Sequence, residues 1–299
     1  MSKPYLTRQG GATVTVFVPY DCGNRCPFCI NKQEYENTAG FSAEKICRSI
    51  ELLDAITPEC DFVFTGGEPL ADLTVLGKML DLIPAGHRVF INTTLPVMQR
   101  HSAGEVVDFL NANSGKITCV NVSRHLRKYV AEGSDALFGQ LKTPVRINCV
   151  LYGSCGEDEL RDFLSRFRAL GLPVQFRSDY TVTTPENLYD EVGDPIYRLL
   201  SAVFPCTGAS GCRIRCNYSF GGGDPEVSYH KTLPYSTVAV SRGGTEYDAL
   251  YDVVIKQNGD IHSDWTGTPL DVEKYRRVVF EPYDLHDFEP GRGGAAMEK

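Results

Sequence analysis

Between residues 12 and 181 the chain switches repeatedly between two hydrophobic periods. Residues 12–20 set Val14, Val16 and Val18 against Thr13 and Thr15, the two-residue period of a strand. Residues 42–56 then place Ile46, Ile50 and Leu53 on one helical face. A short buried-strand run at 61–64 ends in the Gly66-Gly67 turn. Leu73, Leu76, Leu80 and Ile83 stripe the next helix, which Pro84 stops. Residues 87–93 and 116–123 read as strands with a helix around 105–110 between them. Residues 145–152 and 174–180 complete six strands. The clearest helix lies between these last two, striped by Leu160, Phe163, Leu164, Phe167 and Leu170. Its start carries Glu157, Asp158 and Glu159, its later turns carry arginines, and Gly171 and Pro173 follow, as the helix dipole and C-terminal preferences require.

Strand–helix units repeating every roughly 30 residues favour parallel strands joined by right-handed crossovers. Six units fall short of the eight that close a barrel, so the expected fold is α/β, a partial (β/α)6 TIM-like barrel. A helix at 195–204 ends this pattern. The expected organisation is a core at 12–204 and a C-terminal extension at 205–299 that caps the barrel, as a substrate-binding or auxiliary-cluster region. The extension is richer in glycine, tyrosine and turn signals. Its sharpest feature is a hairpin, 252–257 and 260–265 around Asn258-Gly259. Residues 289–295 have no apolar periodicity and are expected to be mobile.

The 299 residues are 42% hydrophobic and 23% charged, a composition that excludes a disordered chain. The net charge of −8 argues against a broad nucleic-acid surface, which needs a basic face. No apolar run approaches the ~18–20 residues of a membrane span. Residues 1–8 lack the apolar core of a signal peptide, so a cytoplasmic location is expected.

Eleven cysteines redirect the argument, because clustered thiols in a reducing compartment more often hold metal or do redox chemistry than form disulfides. Cys47, Cys60, Cys119, Cys149 and Cys155 are scattered, and three of them (Cys47, Cys119 and Cys149) lie in apolar segments as small hydrophobes. The other six form two triplets. Cys22, Cys26 and Cys29 follow the first strand directly. Three thiolates from one loop can ligate three corners of a cubane iron–sulfur cluster, leaving one iron for a non-protein ligand. Structural zinc competes for such thiols but favours a second ligand pair nearby, and all six histidines lie at position 87 or beyond. The plain alternative is three reduced thiols in a loop.

The Cys22-x3-Cys26-x2-Cys29 spacing, with Phe28 just before the last cysteine, resembles the radical S-adenosylmethionine (SAM) enzyme superfamily. Thr65-Gly66-Gly67-Glu68-Pro69, at the end of the second strand, is similar to that superfamily's GGEP motif. The resemblance covers about residues 12–181. It implies an oxygen-sensitive enzyme with a [4Fe-4S] cluster and S-adenosyl-L-methionine, reduced by an electron donor such as flavodoxin or ferredoxin. Reductive cleavage of the sulfonium would give methionine and a 5′-deoxyadenosyl radical that abstracts hydrogen from substrate. Carried over, Cys22, Cys26 and Cys29 bind the cluster, and backbone around Phe28 lies beside the adenine. Gly66, Gly67 and Glu68 meet the methionine amino group. Asn92 and Ser123 at strand ends, and Asn148 beyond them, resemble positions that touch ribose or carboxylate. Each could equally cap a strand end. Arg177 would pair with the cofactor carboxylate or form a surface salt bridge.

Cys206, Cys212 and Cys216 resemble part of the auxiliary-cluster motif of the same superfamily, with departures: position 203 is Val, and no cysteine follows 216. Three readings stay open, namely a second iron–sulfur cluster, a single hydrogen-donating thiol, or packed thiols in a glycine-rich loop. Arg124, His125, Tyr152, Asp179 and Tyr180 are candidate substrate contacts near strand tips. Tyr218, Tyr229, Tyr235, Tyr247 and Tyr251 either cap the barrel mouth or form a small core. The expected substrate is a small or medium polar molecule. An enzyme that activates a glycyl-radical protein is an alternative, since Cys29-Ile30-Asn31-Lys32 is distantly similar to such activases, and a peptide-modifying enzyme is another. From a different class comes an iron–sulfur sensor or electron carrier, which has no need of an ammonium-binding Gly-Gly-Glu-Pro turn.

Overall fold

The computed structural model describes residues 3–8, 13–18, 22–31, 40–56, 59–95, 100–221, 225–233, 237–263, 265, 269–272 and 279–281. The 289–295 tail and Tyr235 lie outside the described residues. The strands are β1 (Tyr5–Arg8), β2 (Thr13–Val18), β3 (Asp61–Gly66), β4 (Arg88–Thr93), β5 (Cys119–Ser123), β6 (Val145–Leu151) and β7 (Val174–Ser178). Then follow β8 (Cys206–Cys212), β9 (Arg215–Phe220), β10 (Val227–Thr232), β11 (Thr237–Arg242), β12 (Thr245–Leu250), β13 (Asp252–Ile255), β14 (Ile261–His262) and β15 (Val279–Glu281). The α-helices are α1 (Ala43–Ile56), α2 (Leu73–Asp81), α3 (Ala103–Ala112), α4 (Glu157–Arg168) and α5 (Pro195–Val203).

Helix starts follow the local chemistry. Asp72 caps α2 by accepting from Val75 N at 3.0 Å, and Ser102 with Glu105 forms a capping box on α3. Asp194 caps α5, which has Pro195 in its first turn.

Two compact units divide the chain. The first takes in Met1–Arg124, Lys128–Val145 and Tyr235–Tyr283, and the second His125–Arg127 and Arg146–Pro234. In the first, the strand order is β14-β13-β2-β3-β4-β5, parallel from β13 to β5. A smaller sheet, β11-β12-β1-β15, sets β1 parallel to both β12 and β15. In the second unit β6, β7 and β10 run parallel, and β9 and β8 continue antiparallel. The fold is thus mixed α/β with a large parallel-strand sheet that does not close, as a partial TIM-like barrel requires.

Three details depart from the periodicity. Thr15 is as deeply buried as its valine neighbours, because β2 lies between β13 and β3 and parallel strands are covered on both faces. Between β5 and β6 the described helical segment is a 3-10 turn, Asp135–Gln140, instead of an α-helix. Two extension strands also join the parallel arrangement, β13 beside β2 and β10 beside β7. The hairpin signal is present as β13 antiparallel to β14, with Gly259 at φ +85° in its turn.

Candidate functional site

The Gly66-Gly67 turn is built against the end of β2. Gly66 pairs with Val18 and has φ +116°, and a Cβ there would stand 2.3 Å from Val18 O. Only glycine permits that approach. Gly67 N donates to Val18 O at 2.8 Å, so the turn and the strand that precedes the cysteine loop share one hydrogen-bonded corner.

Glu68 follows and is completely buried. Its Oε1 accepts from Thr93 Oγ1 at 2.6 Å and from Leu70 N at 3.2 Å. Its Oε2 accepts from Thr94 N and Thr94 Oγ1, each at 2.9 Å. Burial raises its pKa, while these four bonds to the carboxylate work in the opposite direction. The carboxylate therefore braces the end of β3 to the end of β4, and what the turn can offer a ligand is backbone. Thr94 links this carboxylate to a buried cation. Arg124 Nη1 donates to Thr94 O at 2.7 Å and Ser123 O at 2.8 Å, Nη2 donates to Leu95 O, and the guanidinium lies 5.4 Å from the centre of the Phe138 ring.

Cys22, Cys26 and Cys29 sit half-buried on the loop after β2. Cys29 N donates to Cys26 O at 3.2 Å, closing a turn between two of the three thiols. Cys26 Sγ donates to Tyr129 O at 3.7 Å, and Asn24 Oδ1 accepts from Ala131 N at 2.8 Å. Phe28 is buried edge-on against Tyr129, with ring centres 5.5 Å apart. The segment after β5 thus clasps the loop. Burial, then the neighbouring Cys29 and Cys22, push the Cys26 thiol up to about 12. Thiols crowded this way resist ionisation until a cation compensates them, which suits a set of iron ligands. Among the described residues no three or more His, Cys, Asp or Glu side chains are already drawn together as a metal site.

One residue joins the loop to the glycine turn. Asn31 is buried, and its Nδ2 donates to Thr65 Oγ1 at 3.4 Å and Gly66 O at 3.3 Å. Its Oδ1 is buried and has no hydrogen-bond partner among the described residues. A buried amide oxygen in that state is costly unless a donor reaches it, so this corner suits a ligand bearing N–H or O–H groups. The donor set, the glycine cradle and the orphaned oxygen all fit a cluster with an amino-acid-bearing cofactor.

The remaining sequence candidates divide. Asn92 on β4 pairs with Asn121 on β5, whose Nδ2 donates to Asn92 Oδ1 at 2.8 Å. Ser123 ends β5 and is half-buried. Asn148 on β6 is buried, and its Oδ1 has no hydrogen-bond partner among the described residues. Arg177 on β7 is exposed. His125 accepts from Val150 N through Nδ1 at 3.2 Å, a structural bond. Tyr152 is exposed and Tyr180 half-buried, whereas Tyr218, Tyr229 and Tyr251 are buried in packed positions. Residue types gave no hint of Thr93, Thr94, Asn121 or Tyr129, and Asn31 entered only within the Cys29-Ile30-Asn31-Lys32 likeness, with no role of its own. These are common strand-end and loop residues, and only the fold brings them to the motifs.

The second triplet is not on a loop. Cys206 begins β8, Cys212 ends it, and Cys216 lies on β9 opposite Gly211. Cys206 is exposed while the other two are fully buried.

No protein-family model matches the chain, and a search of curated proteins gave no match. Solved structures do align. SuiB of Streptococcus suis bound to precursor peptide SuiA gives a TM-score of 0.51 at 15% identity, covering 85% of this chain and 59% of that one. SuiB bound to S-adenosylmethionine gives 0.48 at 16% identity, covering 64% and 47%. Native anSMEcpe with bound AdoMet and Cp18Cys peptide gives 0.45 at 14% identity, covering 89% and 74%. The alignment with peptide-bound SuiB shows a shared fold. This chain spans less than two thirds of the length of either SuiB chain. No described helix is long and apolar enough to cross a membrane.

Proposed function

We propose that this chain is a radical SAM enzyme in which Cys22, Cys26 and Cys29 hold a [4Fe-4S] cluster beside a site for S-adenosylmethionine. The observation that carries the reading is the Asn31 bridge. It fastens the end of the thiol loop to the glycine turn, so two motifs far apart in sequence form one corner. These thiolates would hold a cluster whose chemistry is one-electron reduction of the sulfonium, the source of a radical that abstracts hydrogen from substrate.

The chain's own residues bind and orient. Backbone carbonyls of the Gly66-Gly67 turn would receive the cofactor ammonium, with Glu68 bracing the turn through Thr93 and Thr94. Backbone around Phe28 would hold the adenine, and Asn92 and Ser123 would hold ribose or carboxylate. The partly exposed thiol loop leaves a route for an external electron donor such as flavodoxin or ferredoxin. Cluster binding is assigned to the first triplet alone. The substrate is a small or medium polar molecule. A peptide substrate is the second reading, favoured by the fold shared with a SuiB structure that holds a precursor peptide.

The test is spectroscopic. Anaerobically reconstituted, reduced protein should show a paramagnetic cluster signal that changes when S-adenosylmethionine is added. Gly67→Val should retain iron but lose that response, because a branched side chain intrudes on the backbone approach. A signal indifferent to the cofactor in the unmodified chain would identify an electron carrier instead.

A further inference from the structure

We propose that a cavity in the second unit binds an organic cation, the ammonium or guanidinium of a basic side chain on an apolar stem. The cavity has a volume of about 380 Å³. Its lining includes Leu151 at the end of β6, Ser178 at the end of β7 and Lys231 near the end of β10. These three strands are parallel, so the loops that follow them build one site at their C-terminal ends. The volume falls at the small end of the ~300–1,000 Å³ of ligand pockets, enough for one side chain rather than a large cofactor.

The floor is electrically closed. Lys231 Nζ lies 2.7 Å from Asp194 Oδ2, and both side chains are under a tenth exposed. Asp194 is fully engaged, since Oδ1 accepts from Ile196 N and Tyr197 N while Oδ2 also accepts from Tyr229 Oη at 3.1 Å. Lys231 donates as well to Asn187 O at 2.5 Å. This pair neutralises itself and leaves the charge of the cavity to two other carboxylates.

Asp179 is 7% exposed and lines the cavity. Its Oδ1 accepts from Thr181 N at 3.0 Å, and among the described residues its Oδ2 has no partner. Asp190 accepts from Gly193 N through Oδ1 at 2.7 Å. A Cβ on Gly193 would stand 1.9 Å from Asp190 Oδ2, so glycine there lets this carboxylate lie across the backbone. A carboxylate oxygen that no described residue reaches, on a side chain lining a cavity, gains from a cation that also donates hydrogen bonds. Leu151, Val182 and Ile196 give the stem an apolar wall, and Val182, 63% exposed, marks the open side.

That the cation belongs to the substrate rests on the proposed function, whereas its binding does not. Saturation-transfer NMR on the full chain, with Nα-acetyl-L-lysine N-methylamide, its arginine counterpart and the uncharged norleucine counterpart, tests the site. Both basic probes should bind and the norleucine probe should be weaker by about tenfold, as for loss of a charge-assisted hydrogen bond. Asp179→Asn should weaken the basic probes by a similar factor, and Gly193→Ala should weaken them less. Should Asp179→Asn fail to fold by circular dichroism, the exposed Asp190→Asn carries the same expectation. Equal binding of the norleucine probe, no transfer to either basic probe, unchanged affinity in the carboxylate variants, or displacement of the probe by equimolar Mg²⁺ would each overturn the proposal. Cofactor cleavage is scored separately. Its loss with probe discrimination intact removes the enzyme reading alone, and the reverse removes the cation site alone.

Discussion

The two cysteine triplets have equal numbers of thiols and comparable spans, yet the backbone places them in opposite ways. Cys22, Cys26 and Cys29 lie on a loop that turns back on itself and is clasped by Tyr129 and Ala131. Cys206, Cys212 and Cys216 lie on paired strands. With about 3.3 Å of rise per residue, Cys206 and Cys212 stand roughly 20 Å apart at opposite ends of β8. One cubane cluster cannot bridge that distance. Cys216 is pushed up to about 12, mainly by burial, despite the opposing influence of Tyr218 and Lys231. It behaves as core. The lesson is that cysteine spacing predicts convergence only where the backbone between the thiols is free to turn.

Iron content offers the largest test of this contrast. Replacing Cys22, Cys26 and Cys29 together by alanine should take anaerobically reconstituted protein from about four irons per chain to near zero. Replacing Cys206, Cys212 and Cys216 by alanine should leave about four. Four irons retained by the first variant would break the comparison.

A second test uses the glycines beside each triplet. Gly66→Ala drives a Cβ into Val18 at a positive φ and should cost about 3 kcal/mol in urea unfolding of the iron-free chain. Gly208→Ala meets nothing within 4 Å and should change stability by less than about 0.5 kcal/mol. Equal losses would mean that the turn at Gly66 is not under steric constraint.

The smallest effect is a pH dependence beside the second triplet. His230 pairs across to Asn217, next to Cys216, and its pKa is lowered by burial and then by Arg177, Arg146 and Arg215. Its Nε2 lies 2.9 Å from Gln175 Nε2, an arrangement for a neutral ring accepting from the amide. As pH falls below about 6.5 the unfolded chain takes up this proton before the folded one, so stability drops. Stability should therefore fall between pH 7 and 5, and His230→Gln should flatten that slope. An unchanged slope in that variant would assign the acid sensitivity elsewhere.

The strand–helix alternation was legible because each segment buries a face within its own length: Ile46, Ile50 and Leu53 on α1, and Leu160 to Phe167 on α4, needed no partner to be read. The Asn258-Gly259 hairpin was legible for the same reason. What lies beside what was not. Nothing in residues 252–255 states that they run parallel to β2, or in 227–232 that they extend β7, because that information belongs to pairs distant in sequence. The motifs of the candidate site were visible as glycines and cysteines, the residues with the most restrictive chemistry. Their supports, Asn31, Thr93 and Thr94, are ordinary in type. The glycine-rich look of 206–212 suggested a loop, yet those residues pair along their length with β9, which supplies the order that glycine itself does not.

The partner of β2 also sets a clock. On one side β2 is flanked by β3, soon after it in the chain, but on the other by β13, about 240 residues later, which a ribosome adding 5–20 residues per second reaches only after some 10–50 seconds. Through that interval the nascent strand has one open edge, and the thiol loop that follows it has emerged long before its scaffold is complete.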